Sequence, residues 1–337
     1  MILQHWFAVA VAVGALLGPA WAVAGCGSAN CFLVTGTQEG LAGVGQMTFD
    51  LSYRWIPMDQ PQRGSAETSQ ALAPAVNFDT GEIEEDHHRE LRTNNELVQL
   101  DVNYGFSERW GMALVLPLIN NRRHEHVDIH HEPGDAEEES FSSQEYSGFG
   151  DVRLLGKYAF ARTTRHVFVG GLGVKAPTGD YKLRNNAGGV INEPTVMPGT
   201  GSWDGLLSAY YAYQIRPRRW DWFVSGSYQH TTENDLGYRF GSTTLLNTGF
   251  NYRFQLQQRH YSAGLQLNLR HAPRDVFRGR DVSSTGGTWV HLTPGLRVQA
   301  GARTRLYVHL QLPVHQQVND SNIVSRYGLV LGVSHSI

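Results

Sequence analysis

The sequence predicts an all-β chain: a transmembrane antiparallel β-barrel of about twelve strands, with short periplasmic turns and long extracellular loops. Three observations carry this. Apolar and polar residues alternate in segment after segment, the two-residue period of a strand. The connections between these segments are short and long by turns. Beyond Leu17 no apolar run approaches the roughly twenty residues that a membrane helix needs, whereas a barrel strand crosses by alternation alone. Composition agrees. Glycine is plentiful (37 residues), aromatics make up 11% of the chain and charged residues only 18%, as expected of a β-rich protein in contact with lipid. A net charge of −3 gives no basic surface for nucleic acid.

The N-terminus reads as a signal peptide over 1–24. Trp6 to Leu17 is almost unbroken apolar sequence, too short to span a bilayer. Ala20-Trp21-Ala22 and Ala22-Val23-Ala24 both have the form of a cleavage site, although no Lys or Arg precedes Trp6. Residues 25–46 form a short periplasmic segment holding the two cysteines, Cys26 and Cys31. In an oxidising compartment these can close a small disulfide loop. Alternatively, Val23-Ala24-Gly25-Cys26 resembles a lipobox in which Cys26 is acylated. A thiolate metal site would have only half its usual ligands.

Residues 47–337 are the barrel. Met47, Phe49, Leu51, Tyr53 and Trp55 alternate with Thr48, Asp50, Ser52 and Arg54. Val98, Leu100, Val102 and Tyr104 alternate with Gln99, Asp101 and Asn103, and a third strand follows from Trp110. Val152, Leu154, Tyr158 and Phe160 oppose Asp151, Arg153 and Lys157. Charges on one face against large apolar residues on the other suit a wet lumen inside lipid. Further strands are expected near 166–177, 203–214, 220–230, 244–254, 261–270, 288–298, 304–314 and 326–337. The short turns lie near 107–109, 161–165, 215–219, 255–260 and 299–303. The long loops lie near 58–92, 119–147, 178–202, 231–242, 271–287 and 315–325. This alternation puts both ends of the barrel on the periplasmic side. The last strand alternates through to Ile337, a position where such barrels usually carry Phe.

Several stretches resemble a known family. Gly148-Phe149-Gly150-Asp151-Val152, Gly173-Val174-Lys175-Ala176-Pro177-Thr178-Gly179 and Pro198-Gly199-Thr200-Gly201-Ser202-Trp203-Asp204 are similar to motifs of the outer-membrane transporter family typified by the phenol-degradation MetA-pathway proteins. So are Leu292-Thr293-Pro294-Gly295-Leu296-Arg297 and Leu312-Pro313-Val314-His315-Gln316-Gln317-Val318-Asn319. The resemblance implies a twelve-stranded barrel and a transport role, and it leaves the substrate open.

Two constellations point to chemistry. Of the fifteen histidines, six cluster in the first two loops, as His87 and His88 and as His124, His126, His130 and His131. In an extended chain His124, His126, Asp128 and His130 share one face, the spacing that aims several imidazoles at one ion. Imidazole with carboxylate suits zinc, copper or nickel; a solvated His-rich loop is the competing reading. The second constellation is a pore lining of Arg54, Asp101, Asp151, Arg153, Lys157, Lys175, Arg253, Arg270, His291, Arg297 and His309, with Asp50, Asp204 and Arg305, net basic overall. His291 and His309 are expected to be close across a hairpin. Against catalysis, His230-Thr231-Thr232 and Asn234 offer no serine nucleophile with a base in reach.

The expectation is therefore a monomeric outer-membrane channel or transporter that passes a small solute or ion by passive diffusion, and not an enzyme. It needs no cofactor unless a divalent transition metal binds the loops. Its partners are outer-membrane lipid, the barrel-insertion machinery and the solute, and not nucleic acid. The alternative is a barrel that only anchors metal-binding or assembly loops.

Overall fold

The computed structural model describes residues 40–130, 138–184 and 189–337. Twelve antiparallel strands close into a barrel. They are β1 (Met47–Arg63), β2 (Glu82–Gly105), β3 (Trp110–His130), β4 (Val152–Arg162), β5 (His166–Ala176) and β6 (Asp204–Arg216), followed by β7 (Trp220–His230), β8 (Thr243–Leu256), β9 (Arg259–Ala272), β10 (Gly287–Gln299), β11 (Thr304–Val318) and β12 (Gly328–Ser336). Neighbours in sequence pair in order. The barrel closes at β1, which pairs with β2 from Met47↔Tyr104 to Met58↔Thr93 and with β12 from Thr48↔Ser336 to Trp55↔Leu329. Closure leaves no open sheet edge, which a strand in lipid cannot tolerate.

Alternation decides which way each side chain faces. Leu51, Leu154, Leu172, Leu207, Leu246, Leu265, Leu306 and Leu331, on eight different strands, are exposed on the outside. Asp50, Gln99, Asp101, Asn103, Gln266, Asn268, Thr293 and Gln311 are buried on the inside. Near the tight turns the outer surface carries linked aromatic rings: Trp110–Tyr158–Phe160–Phe168, and Trp220–Tyr252–Phe254–Tyr261. Near the other rim Phe149, Trp203, Tyr228 and Tyr327 are exposed. An apolar belt between two aromatic girdles is the surface a bilayer selects.

The first two long loops prove to be strand for most of their length. β1, β2 and β3 run for 17, 24 and 21 residues, against roughly ten for a membrane crossing. Ala71–Asn77 pairs with the extension of β2, and Glu138–Gly148 pairs with that of β3. These extensions stand clear of the apolar belt, so both of their faces are polar and their strand period is hidden in the sequence.

Two β-bulges set what the extensions present to the lumen. Between Glu90 and Arg92 the register of β2 slips against β3, and Leu91 faces out. Between Ile119 and Pro117 an extra residue, Leu118, does the same in β3. Each bulge inverts the inside–outside parity beyond it. In β3 the inward residues are Ala113, Val115 and Pro117 below the bulge, then Asn120, Arg122, His124 and His126 above it. In β2 the inward positions Asn95 and Thr93 give way to Glu90 and His88.

Above the belt the loops meet across the mouth. Val76 and Phe78, from the β1–β2 side, pack on Tyr238, Phe277 and Val282 from the opposite wall, with Ile191 and Phe240 against them. A cysteine at exposed Thr80 is expected to react with an impermeant maleimide on intact cells, and one at Gly301 only after permeabilisation, as read by peptide mass spectrometry. The opposite pattern would reverse the orientation.

Candidate functional site

Inside the barrel the charges are arranged around one lysine. Lys175, on β5, is fully buried. Its Nζ lies 2.9 Å from Asp151 Oδ2 and 2.9 Å from Asp204 Oδ2, and donates to Thr200 as well. Asp151 sits just before β4, where the chain turns inward at Phe149-Gly150-Asp151. Asp204 opens β6. A buried ammonium and carboxylates are tolerated only when paired and hydrogen-bonded, and here the pairing ties the end of β5 to the start of β4 and of β6.

The same carboxylates hold the β5–β6 connection inside the barrel. Asp151 accepts from the backbone N–H of Thr200 at 2.9 Å and of Gly179 at 3.1 Å. Ser202 Oγ donates to Asp204 at 2.9 Å. Asn120 Nδ2 donates to Pro198 O at 2.7 Å, Arg122 to Thr195 O, and Asn234 Nδ2 to Thr200 O at 2.9 Å. Val196, Met197, Pro198 and Gly199 are buried as a result. At the tightest crossing a Cβ on Gly199 would stand 2.3 Å from Gly179 O, so only glycine fits.

This inserted segment roofs an interior cavity of about 190 Å³ lined by Thr195 and Thr200, by Arg153, Lys157 and Arg270, and by an apolar wall that includes Val115, Leu155 and Leu245. At the turn end lies a wider vestibule of about 1030 Å³. Its lining includes Arg216, Arg218, Arg219, Arg253, Arg297 and Arg305, and no acid among the described residues. Arg253 pairs with nearby Asp221. Lys157 Nζ reaches Asn103 Oδ1 at 3.0 Å and the carbonyl of Gly40 at 3.3 Å, so the stretch before β1 enters the turn end.

The loop end carries the histidines. Beyond the bulges, His88 opposes Asp128, Glu90 opposes His126 and Thr93 opposes His124. His88 Nε2 lies 3.0 Å from Glu193 Oε1 and 3.4 Å from Glu90 Oε1, and His124 Nδ1 lies 3.5 Å from Glu90 Oε2. Burial works against charge on His88, but the Glu193 and Glu90 carboxylates outweigh it and raise its pKa well above the usual histidine value. Glu193 is held low by His88, against the opposing effect of burial. Burial pushes the pKa of His124 down. Glu193 belongs to the inserted segment, and no periodic pattern around it marks it as a site residue.

The other expected site residues fall as follows. Arg54, Asp101, Lys157, Arg270, His291 and His309 are buried on the inner face, with Arg153 and Arg297. His291 and His309 are not cross-strand neighbours. A register shift pairs His291 with Pro313, and His309 lies opposite Gly295, which has no Cβ to meet its ring. Arg305 is exposed at the turn end. His87 is half-buried and faces Glu84 and Asp128. His130 ends β3 with its side chain outside what the structure describes, and His131, Cys26 and Cys31 lie outside the described residues.

Residues 101–308 match the family described as "Putative MetA-pathway of phenol degradation", well over half of the chain. The chain belongs to this family. No curated protein matches its sequence. Among solved structures it is similar to the COG4313 outer membrane channel from Pseudomonas putida F1, with 11% identity and a TM-score of 0.62 over 90% of this chain and 100% of the other. A FadL homologue from Pseudomonas aeruginosa follows at 9% identity and a TM-score of 0.42, over 87% and 90% of the two chains. The fold is that of an outer-membrane barrel.

Three of the short motifs that resemble the family meet in space. Asp151, Lys175 with Gly179, and Gly199 to Asp204 are the residues of the buried charge cluster and of the crossing it holds. Removing one member of a buried ion network costs about 3–5 kcal/mol. Lys175→Met is therefore expected to leave the barrel folded while raising hydrogen exchange at Met197–Gly201 by about tenfold or more. Lys182→Met, which removes an exposed pair with Asp235, should leave exchange there unchanged. Equal exchange in Lys175→Met and the parent would show that the cluster does not hold the segment.

Proposed function

We propose that this barrel is an outer-membrane channel that passes a small organic anion by diffusion. The observation that carries the reading is a mainly cationic lining: Arg153, Lys157 and Arg270 against one acid, Asp275, around the inner cavity, and Arg297, Arg253 and the turn arginines around the vestibule. A cleft lined by one sign of charge with low-dielectric walls concentrates the opposite ion, and rings of Arg and Lys select anions in pores. The apolar wall at Val115, Leu155 and Leu245 gives such a solute a surface for a nonpolar body. A carboxylate or phenolate on a small ring fits both features. The similar structure from Pseudomonas putida is an outer membrane channel, and the family is described by phenol degradation; both are compatible with this solute class.

Diffusion is favoured because a graded series of fixed charges binds a solute at several weak positions, which permits both entry and exit. Among the described residues the buried hydroxyl–imidazole pair Thr93–His124 has the Glu90 carboxylate on the same ring nitrogen, which is not the relay of nucleophile, base and orienting group, so the charges are read as a conduction path.

The test is electrical. In a planar bilayer with a KCl gradient, the reversal potential should report a preference for chloride over potassium. Reversing three vestibule charges with Arg216→Glu, Arg218→Glu and Arg305→Glu should lower that preference severalfold without abolishing current. In liposome swelling, benzoate should enter faster than a neutral sugar of similar size. A cation-selective parent, or a reversal potential unmoved by the three substitutions, would refute the reading.

A further inference from the structure

The loop-end histidines contain a more specific arrangement than a His-rich surface. We propose that His88, Glu90, His124 and Glu193 form a four-ligand site for a zinc-class divalent metal ion, and that this ion fastens the inserted β5–β6 segment to the wall made by β2 and β3. One donor atom from each of the four residues lies within 4.8 Å of the other three. A tetrahedral zinc ion with bonds of about 2.0–2.2 Å separates its ligand atoms by roughly 3.3–3.5 Å. The separations of 3.0 and 3.4 Å from His88 Nε2 to Glu193 and Glu90 are close to that spacing, and the four donors, all within 4.8 Å of one another, need only move inward to reach it. Two imidazoles with two carboxylates suit zinc and its neighbours rather than magnesium or calcium, which take six or more oxygens.

Independent observations point to a ligand here. His124 is only 2% exposed, yet its Nε2 has no hydrogen-bond partner among the described residues, and neither has Glu90 Oε2 or the Nδ1 of His126 beside it. Unsatisfied buried polar atoms are costly, and three of them lie in one cluster. The opposite nitrogen of His124 is 2.9 Å from Thr93 Oγ1. A hydroxyl accepting from one ring nitrogen fixes the tautomer and frees the other to ligate.

The backbone explains why the ligands converge. Three come from the paired extensions of β2 and β3, held in register by the ladder. The Leu91 and Leu118 bulges turn His88, Glu90 and His124 inward; unbroken alternation would have pointed them out. Only Glu193 must be brought in, by a segment already anchored on both sides of it, through Asn192 to Gln144 and Tyr146 and through Thr195 to Arg122. Little ordering entropy therefore opposes binding. The ion would sit two residues from Thr195, which lines the inner cavity, so its presence fixes part of the cavity roof. His126, with Asp128 3.2 Å from its Nε2, forms the outer side of the cluster.

The experiment uses the full-length protein purified in detergent, stripped with a chelator and titrated with zinc alone by calorimetry. One ion should bind per chain. Glu193→Gln, which changes shape least, should weaken binding at least tenfold, and His88→Ala with His124→Ala should abolish it. His260→Ala, at the start of β9 at the far end, should bind as the parent does, and heat-modifiable mobility on a gel should show each variant folded. X-ray absorption on the zinc-loaded parent should count two imidazoles, independently of any variant. An affinity unchanged in Glu193→Gln, or a shell with three or more imidazoles, would place the metal on the other histidines and overturn the proposal. Because binding is read without transport, its failure would leave the channel reading untouched, and the reverse is also true.

Discussion

A single buried ammonium organises the interior. Lys175 is fully enclosed and is stable there only because Asp151 and Asp204 each approach its Nζ to 2.9 Å. Those two carboxylates come from opposite sides of β5, one before β4 and one at the start of β6. To reach the lysine, the chain must turn inward at Phe149-Gly150-Asp151 and again at Gly199 to Asp204. Once there, Asp151 accepts the backbone N–H groups of Gly179 and Thr200 and Asp204 accepts the Ser202 hydroxyl, which draws in the β5–β6 connection. What the charge pairing requires thus becomes the shape of the pore: a cavity roofed by Thr195 and Thr200 in place of an open lumen. The loops that meet overhead at Phe78, Tyr238 and Phe277 close the mouth further.

The wall and the lining answer to different physics. Outside, lipid demands apolar side chains and satisfied backbone groups, and the leucine belt with its aromatic girdles meets that demand. Inside, there is room for polar residues that need not pair one to one. The cations outnumber the acids toward the turn end, where the vestibule is lined by arginines. Where the sheet rises past the bilayer both constraints lapse, and bulges at Leu91 and Leu118 re-aim a run of His and Glu into the mouth. The part of the barrel freest of lipid is thus the part with the densest cluster of potential metal ligands.

The same division explains what was legible in the sequence. Each of the twelve strands was readable where it crosses lipid, because Met47 to Trp55 or Tyr261 to Arg270 cannot alternate otherwise and still face both media. The extensions of β1, β2 and β3 were not, since Glu82–Asn95 and Asn120–His130 carry polar residues on both faces and read as loop. The inward direction of Asp151, Lys175 and Asp204 followed from parity; their contact did not, because it depends on two inward turns. His124 and His126 were legible as a same-face pair. Of the expected pair His87 and His88, His88 is buried in the cluster and His87 is half-buried beside it, with its Nδ1 3.4 Å from that of His88. Glu193 was invisible, since nothing periodic in its Gly- and Pro-rich stretch marks it. His291 and His309 were expected side by side, but parity alone says nothing of register, which here shifts between Val290 and His291.

The central claim is that the inserted β5–β6 segment, held by the Lys175 cluster, limits passage through a cationic barrel. Single-channel conductance of the parent against a variant with residues 182–197 replaced by a short glycine–serine linker tests this most directly. Conductance should be severalfold higher in the variant, with the preference for anions retained because the vestibule arginines are untouched. An unchanged conductance would contradict it, by showing that the segment lies outside the path the solute takes.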